Sequence, residues 1–227
     1  MTVISQQLQA VHARIAAACH AAGRDPASVQ LLAVSKTFGP EAVRAAYTAG
    51  QRAFGENYIQ EAVDKMAALA DLPLQWHCIG PIQSNKTRLV AEHFAWAQTV
   101  DRLKIAQRLN EQRPAALPPL QVCIQVNVDG GASKSGVAPE EAPALARAVA
   151  ALPRLQLRGL MCIPDPQPDF LAMKAVFLRA KALHDQLRAQ GLALDTLSMG
   201  MSGDLEAAIQ AGSTMVRVGT AIFGGRG

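Results

Sequence analysis

The chain has 227 residues, half of them hydrophobic and only 4% aromatic. A single domain of this length buries roughly 70 per cent of the surface that its unfolded chain exposes, so one domain spanning 1–227 accounts for the whole sequence. The formal net charge is +4 and no two Lys or Arg residues are adjacent, which is not the pattern of a nucleic-acid groove or a polybasic membrane patch.

The N-terminal segment has the pattern of an amphipathic helix. Leu8, Val11 and Ile15 recur at helical spacing among polar residues, which predicts a helix at about 3–22. The segment lacks the basic start and unbroken apolar stretch of a signal peptide, and no apolar run approaches the roughly 20 residues of a membrane-spanning helix. The cysteines lie far apart with no CxxC pair, at Cys19, Cys78, Cys123 and Cys162. We therefore expect a cytoplasmic protein with reduced cysteines and no membrane partner.

Short β-rich runs alternate with longer Ala- and Leu-rich helical runs, which is typical of parallel strands joined by crossover helices. The candidate strands are 30–35, 52–55, 74–79, 96–100, 120–128, 155–163, 196–199 and 215–219. Eight such units predict an α/β fold, a single (β/α)8 TIM-type barrel. An open doubly wound sheet is the alternative, but it normally carries a glycine-rich phosphate loop after its first strand, where this chain has Lys36 and Thr37.

Two helices have ends that local chemistry predicts. Segment 101–113 begins at Asp101, a residue type that caps helices, and ends before Pro114. Segment 169–190 carries a regular apolar face and ends at Gly191.

Lys36 follows the apolar run 31–34 at the end of the first predicted strand. The carboxyl ends of the strands form the face of a barrel that carries its active site, so this lysine is expected at the mouth. A lysine amine in that position can attack an aldehyde to form an imine. Position alone is equally compatible with a strand-end lysine whose ammonium simply reaches water.

Two further motifs bring polar side chains to the same end of the barrel. Asn57, in FGENY at 54–58, follows the second strand and either faces the mouth or caps a helix. His77, in WHCIG at 76–80, lies within the third strand, where a histidine is more often a satisfied core group than a base.

The last two strands end in loops of the kind that bind phosphate in barrels. Strand seven leads into SMGMSGD at 198–204, where Ser202 offers a hydroxyl and, with Gly203, can open the following helix. Strand eight ends in VRVGT at 216–220, where Gly219 and Thr220 permit the close approach of an anion. Ordinary turn chemistry with a serine cap explains the same residues equally simply.

Arg217 alternates with Val216 and Val218, which points its side chain into the barrel if the valines face the helices. A buried arginine needs an acceptor, either an internal carboxylate or a ring nitrogen of a bound cofactor. The sequence has no HExxH, no paired Cys/His metal spacing, no GxSxG elbow and no Walker loop, so we expect no metal site.

Six segments in this order and spacing resemble the pyridoxal phosphate homeostasis proteins: AVSKT at 33–37, FGENY at 54–58, WHCIGPIQSNK at 76–86, SKSG at 133–136, SMGMSGDLEAAI at 198–209 and VRVGTAIFG at 216–224. The resemblance covers nearly the whole chain and implies the fold-type III barrel of the N-terminal domain of alanine racemase. The chain departs from the family at Cys78, where an aromatic residue is common, and at Gly131, where an acidic residue is common before SKSG.

The resemblance also implies a role for each site residue. Lys36 is the residue that forms the imine with pyridoxal 5′-phosphate (PLP). Ser202, Gly219 and Thr220 match the positions that hold the cofactor phosphate. Arg217 matches the arginine that faces the pyridine nitrogen, and the motifs of Asn57 and His77 line the same pocket. The cofactor-binding residues that the resemblance implies are therefore Lys36, Asn57, His77, Ser202, Arg217, Gly219 and Thr220.

The function that the resemblance implies is non-catalytic. The chain is expected to hold PLP on Lys36, to take part in PLP homeostasis, and to deliver PLP to apo-enzymes, as a monomer without nucleic-acid partners. An arginine at the ring nitrogen discourages carbanion chemistry, and the chain ends directly after strand eight, where racemases of this fold add a second domain.

Two other functions remain open at this stage. One is a small fold-type III PLP enzyme that acts on amino acids, and the other is a cofactor-free aldolase that uses Lys36 on a sugar phosphate. Lys134, in SKSG, is either a second aldehyde site or a solvated loop lysine.

Overall fold

The computed structural model describes residues 2–131 and 135–225. Within these residues, eight parallel strands follow one another around a closed barrel, in which β1 also pairs with β8. The strands are β1 Gln30–Val34, β2 Ala53–Glu56, β3 Gln75–Cys78, β4 Trp96–Val100, β5 Leu120–Gln125, β6 Leu155–Met161, β7 Thr196–Ser198 and β8 Met215–Val218. The predicted (β/α)8 barrel is confirmed.

Helices surround this barrel. Those in the described residues are α1 Val3–Ala21, α2 Pro40–Thr48, α3 Ile59–Ala68, α4 Thr87–His93, α5 Leu103–Gln112, α6 Ala142–Ala150, α7 Phe170–Ala189, α8 Leu205–Gln210 and α9 Thr220–Phe223, with single 3₁₀ turns at Pro26–Ser28 and Ser84–Lys86. None of the helices in the described part of the chain has the length and apolarity needed to cross a membrane.

The N-terminal helix α1 confirms the helix predicted at about 3–22. The Thr2 hydroxyl caps it by accepting from the Ser5 amide at 3.2 Å. Its apolar face is buried and includes Leu8, Val11 and Ile15. Helix α1 packs against α8 and α9. It therefore lies beside the last two loops of the barrel.

Two predicted helix starts are wrong. Helix α5 begins at Leu103 without a side-chain cap, because the Asp101 carboxylate instead accepts from the Gly136 amide and faces Arg102. Helix α8 begins only at Leu205, since 201–204 form a separate turn in which Asp204 accepts from the Met201 amide at 2.6 Å.

Strand β5 ends earlier than predicted, at Gln125 rather than at 128. Val126 forms only an isolated bridge with Val137, because the loop after β5 returns alongside it. Most of the apolar core lies between the strands and the helices. The barrel interior holds a smaller apolar cluster that includes Leu32, Trp96 and Met161. Val34 and Ile79 of this cluster reach the carboxyl end of the barrel, where they line a cavity.

Candidate functional site

A cavity of about 500 Å³ opens at the carboxyl ends of the strands. Six of the seven predicted site residues line it: Lys36, Asn57, Ser202, Arg217, Gly219 and Thr220. Apolar walls come from Val34, Ile79 and Ile163 among others. The barrel thus brings together side chains from both ends of the sequence.

Lys36 lies two residues beyond β1 and is half-buried. Within residues 2–131 and 135–225, its ammonium forms no hydrogen bond or ion pair. Thr37, the next residue, has a φ of 67°, in the left-handed region that a β-branched residue rarely adopts. Lys36 therefore lines the cavity with a free amine, and the residue that follows it, Thr37, is held in an unfavourable backbone conformation.

A buried ion pair lies directly behind this segment. The Lys65 ammonium, from α3, donates to the Glu56 carboxylate at 2.6 Å and to the Ser35 carbonyl at 2.9 Å. The Ser35 hydroxyl donates to the same Glu56 oxygen at 2.7 Å. Glu61 accepts from the Thr37 amide at 2.9 Å and from Lys65 at 3.4 Å. The backbone on both sides of Lys36 is therefore tied to one charged cluster.

Glu56 and Lys65 are almost completely shielded from solvent, with side-chain exposures of 0% and 3%. Burial raises the pKa of the Glu56 carboxyl, against the opposing hydrogen bonds from Lys65 and Ser35. This pair was not predicted from the sequence. Glu56 was noted only as part of FGENY, and a lysine in the pattern of α3 looks like an ordinary surface residue.

Asn57 presents an unused acceptor. Its side-chain oxygen is buried and has no hydrogen-bond partner among the described residues, although the residue lines the cavity. A buried polar atom without a partner is costly, so its presence in a cavity indicates a group that arrives from outside the chain.

Arg217 points into the barrel, as predicted, and is 3% exposed. Its guanidinium donates to the Ser198 hydroxyl at 2.8 Å and to the Cys162 carbonyl at 2.9 Å. The structure thus supplies a hydroxyl and a carbonyl as acceptors, whereas the sequence had suggested a carboxylate or a cofactor nitrogen. Burial lowers the pKa of the guanidinium, which remains charged because arginine ordinarily titrates far above neutral pH.

His77 lies elsewhere, and the prediction that it lines the pocket needs correction: it is not among the described residues that line the cavity. The ring is fully buried inside the barrel, stacked on Trp96 with a centroid distance of 4.9 Å. Gln98 donates to its Nδ1 at 2.9 Å, and its Nε2 contacts the Gln75 side-chain oxygen at 3.1 Å. Burial lowers the pKa of His77 to about 3, so the ring is neutral.

His77 nevertheless connects to the cavity through hydrogen bonds. Gln98, which donates to His77, accepts from the Ser198 hydroxyl at 2.6 Å, and Ser198 accepts from Arg217. The donor and acceptor directions agree along the whole path from Arg217 to His77. His77 is therefore linked to Arg217 through Gln98 and Ser198, two residues for which the sequence predicted no such contact.

The two late loops meet where predicted. Ser202 and Gly203 line the cavity from one loop, and Gly219 and Thr220 line it from the next. A Cβ at Gly219 would lie 3.1 Å from the Val34 carbonyl oxygen, which explains the glycine where β8 passes the end of β1. Lys134, for which the sequence left open a second aldehyde site or a solvated loop lysine, lies outside the described residues.

Comparisons with known proteins agree with this geometry. The model of the family "Alanine racemase, N-terminal domain" matches residues 6–227. The chain is 64% identical to the pyridoxal phosphate homeostasis protein of Pseudomonas aeruginosa, over 100% of this chain and 97% of that protein. The structure of PipY from Synechococcus elongatus with PLP bound is similar with a TM-score of 0.85 and 38% identity, covering 97% of this chain and 100% of that chain.

A more distant likeness concerns the fold alone. An alanine racemase from Clostridium difficile is 15% identical with a TM-score of 0.75, and the match covers 98% of this chain and 56% of that chain. The family itself is shown by the family match and by the 64% identical relative. The chain belongs to the pyridoxal phosphate homeostasis protein family, within the alanine racemase N-terminal domain fold.

Proposed function

We propose that this protein binds PLP as an imine on Lys36 and serves PLP homeostasis as a carrier that delivers the cofactor to apo-enzymes. The observation that carries the proposal is the joint lining of one cavity by a free lysine amine, the Arg217 guanidinium and two phosphate-type loops. Support also comes from PipY, a similar protein whose structure holds PLP.

The cavity offers a partner for each polar group of the cofactor. The Asn57 oxygen can accept from a ring hydroxyl, which resolves its lack of a partner. Ser202 and Thr220 provide hydroxyls for a phosphate, and Gly203 and Gly219 leave room for it. The volume of about 500 Å³ lies in the range usual for small-molecule sites.

Arg217 determines what kind of chemistry the site favours. PLP supplies an aldehyde for reversible imine formation and a pyridine ring that can withdraw electrons. Arg217 can only donate hydrogen bonds, so a ring nitrogen facing it has to accept and stays unprotonated. Its two bonds to Ser198 and Cys162 hold the guanidinium in place, which keeps that charge at the site.

The described part of the lining also has no second side chain of the kinds that usually transfer protons. Among the described residues that line the cavity, none is Tyr, His, Cys, Asp or Glu. Lys36 is the single amine in that lining, so if a substrate amine displaced it from the imine, it would be the one proton-transfer group there. These features support a carrier in preference to an enzyme that acts on amino acids.

Imine formation joins the Lys36 nitrogen to the aldehyde carbon and releases one water, and hydrolysis reverses it. The purified protein is therefore expected to show the visible absorbance of the imine with PLP, and Lys36→Ala is expected to lose it. A wild-type protein without the band, or a variant that keeps it, would contradict the proposal.

Delivery is tested separately. The loaded protein is mixed with an apo-enzyme that requires PLP, in the presence of a phosphatase that destroys free PLP, and recovery of activity is followed. Recovery despite the phosphatase supports direct delivery, whereas complete loss of recovery restricts the protein to storage. Turnover of amino acids that tracks the bound cofactor would instead revive the enzyme alternative.

We further propose a cytoplasmic monomer. The four cysteines are all free and buried, which suits a reducing compartment. Light scattering on the eluting protein measures the oligomeric state directly.

A further inference from the structure

An arginine of the N-terminal helix reaches the loop that follows β7. Arg14, on α1, donates from Nε and Nη2 to the two carboxylate oxygens of Glu206, at 2.8 and 3.0 Å. The same Nη2 donates to the carbonyl oxygen of Ser202 at 2.9 Å. One guanidinium therefore joins α1 to the first turn of α8 and to the loop before it.

The loop that Arg14 contacts belongs to the cavity, whereas Arg14 does not. Ser202 and Gly203 are lining residues, and Arg14 is not among the described residues that line the cavity. The loop is a compact turn, since the Asp204 side chain accepts from the Met201 amide and its own amide donates to the Met201 carbonyl. The Ser202 carbonyl points out of this turn to Arg14, which fixes the side of the peptide that faces the cavity.

The second consequence of this contact is electrostatic. Glu206 is half-buried and lies within hydrogen-bond distance of the same nitrogen as the Ser202 carbonyl. Burial raises the pKa of Glu206, but the hydrogen bonds from Arg14 and from the backbone amide of Glu206, together with the charge of Arg14, outweigh burial, and the pKa lies below its ordinary value. Glu206 is thus anionic, and Arg14 is the cation that balances it beside a loop placed to receive a phosphate.

We propose that Arg14 is a positioning residue for the phosphate end of the site, through which α1 makes the protein prefer phosphorylated over unphosphorylated pyridoxal. The proposal rests on the proposed function, since it assumes that the loop of Ser202 receives the phosphate of PLP. Without Arg14, the Ser202 peptide loses its anchor and the Glu206 charge stands unbalanced near a dianion. Both effects act on the phosphate and neither acts on the aldehyde.

The chain offers a matched control in Arg24. It lies just beyond the same helix, is half-buried like Arg14, and donates to the Ile209 carbonyl of α8 at 2.7 Å. Like Arg14, Arg24 thus joins the N-terminal region to α8 by a hydrogen bond from its guanidinium. Ile209 lies in the last turn of α8, away from the lining residues. Loss of Arg24 weakens the same packing without touching the loop.

The experiment compares the binding of PLP and of pyridoxal to the full chain, with the imine band as the readout. For Arg14→Met we expect PLP to bind about tenfold more weakly, the usual size for loss of a charge-assisted hydrogen bond, with little change for pyridoxal. Arg24→Met is expected to leave the ratio of the two affinities at the wild-type value. In Arg14→Met combined with Glu206→Gln, removal of the unbalanced charge is expected to restore part of the PLP affinity.

The outcomes distinguish a failure of the proposed function from a failure of the role of Arg14. A wild-type protein that forms no imine with PLP overturns the proposed function. A wild-type protein that prefers PLP, with an unchanged preference in Arg14→Met, overturns the role of Arg14 alone. An equal shift in Arg24→Met also overturns it, because the effect then reflects packing of α1. If Arg14→Met does not fold, Arg14→Lys carries the same test, since lysine keeps the charge but lacks the fork that bridges both acceptors.

Discussion

At the level of single residues, the segment around Lys36 depends on the buried Lys65–Glu56 pair. Lys65→Met leaves the Glu56 carboxylate, which is 0% exposed, with the Ser35 hydroxyl as its one side-chain donor among the described residues. Removing one partner of a buried ion pair typically costs about 3–5 kcal/mol, so we expect the free energy of unfolding in urea to fall by about that amount.

The control for this variant is an exposed ion pair. Arg44→Met removes the salt bridge to Asp71, in which both side chains are well exposed, and is expected to change the free energy of unfolding little. Similar small losses in both variants would show that the buried pair does not hold the segment as described.

The burial of the neutral His77 ring makes the stability of the fold depend on pH. Its pKa is about 3 in the fold and 6.5 ordinarily, so between these values the unfolded chain binds the proton and the folded chain does not. Stability therefore falls as the pH drops from 6.5 towards 3, by up to about 1.4 kcal/mol per pH unit from this one group. Urea unfolding across this range is expected to have a smaller slope with pH in His77→Gln than in the wild type. An unchanged slope would contradict the neutral, buried ring.

Single residues also show how much of the candidate site could be predicted from the sequence. The position of Lys36 at a strand end followed from the apolar run before it, but the position left its role open, and the family resemblance supplied the role. The prediction that the Arg217 side chain points into the barrel was correct, because side chains alternate between the two faces of a strand. The resemblance assigned His77 to the pocket, whereas its place within a strand favoured a satisfied core group, and the buried, hydrogen-bonded ring agrees with the second interpretation. Gln98 and Arg14 gave no signal, since their contacts are distant in sequence.

At the level of elements, local chemistry predicted the long helix α7 well. The Asp169 carboxylate accepts from the Ala172 amide at 2.8 Å and caps its start. Asp169→Ala is expected to lower the free energy of unfolding by about 1 kcal/mol, and Asp169→Asn, which keeps the acceptor, by less. Equal losses in the two variants, measured in urea, would mean that the cap contributes nothing specific.

Local chemistry did not predict the starts of α5 and α8, because other contacts engage the residues that were expected to begin these helices. Asp101 has the identity of a cap, yet its carboxylate bonds the Gly136 amide, and α5 starts uncapped at Leu103. Ser202 was expected to open α8, but the closed turn at 201–204 delays its start to Leu205. The strands were predicted more reliably, because burial on both faces of a parallel strand leaves a continuous apolar run.

At the level of the whole molecule, barrel closure creates the site. The pairing of β1 with β8 sets Leu32 beside Arg217, so Lys36 and Arg217, which are far apart in sequence, open into one cavity. Helix α1 then packs over the last two helices and reaches the loop of Ser202 through Arg14. The described lining sets the Lys36 amine in the same cavity as a fixed arginine, without a second Tyr, His, Cys, Asp, Glu or Lys side chain, and this arrangement supports the proposed role as a holder of PLP.

The most direct test of this account is chemical trapping of the protein as it is isolated. Borohydride reduces an imine to a stable amine, and mass spectrometry of the digested protein then gives both the mass of the adduct and the residue that carries it. The account predicts the mass of reduced PLP on the peptide that contains Lys36. A sugar-phosphate adduct on Lys36, or PLP on another lysine with Lys36 unmodified, would contradict it.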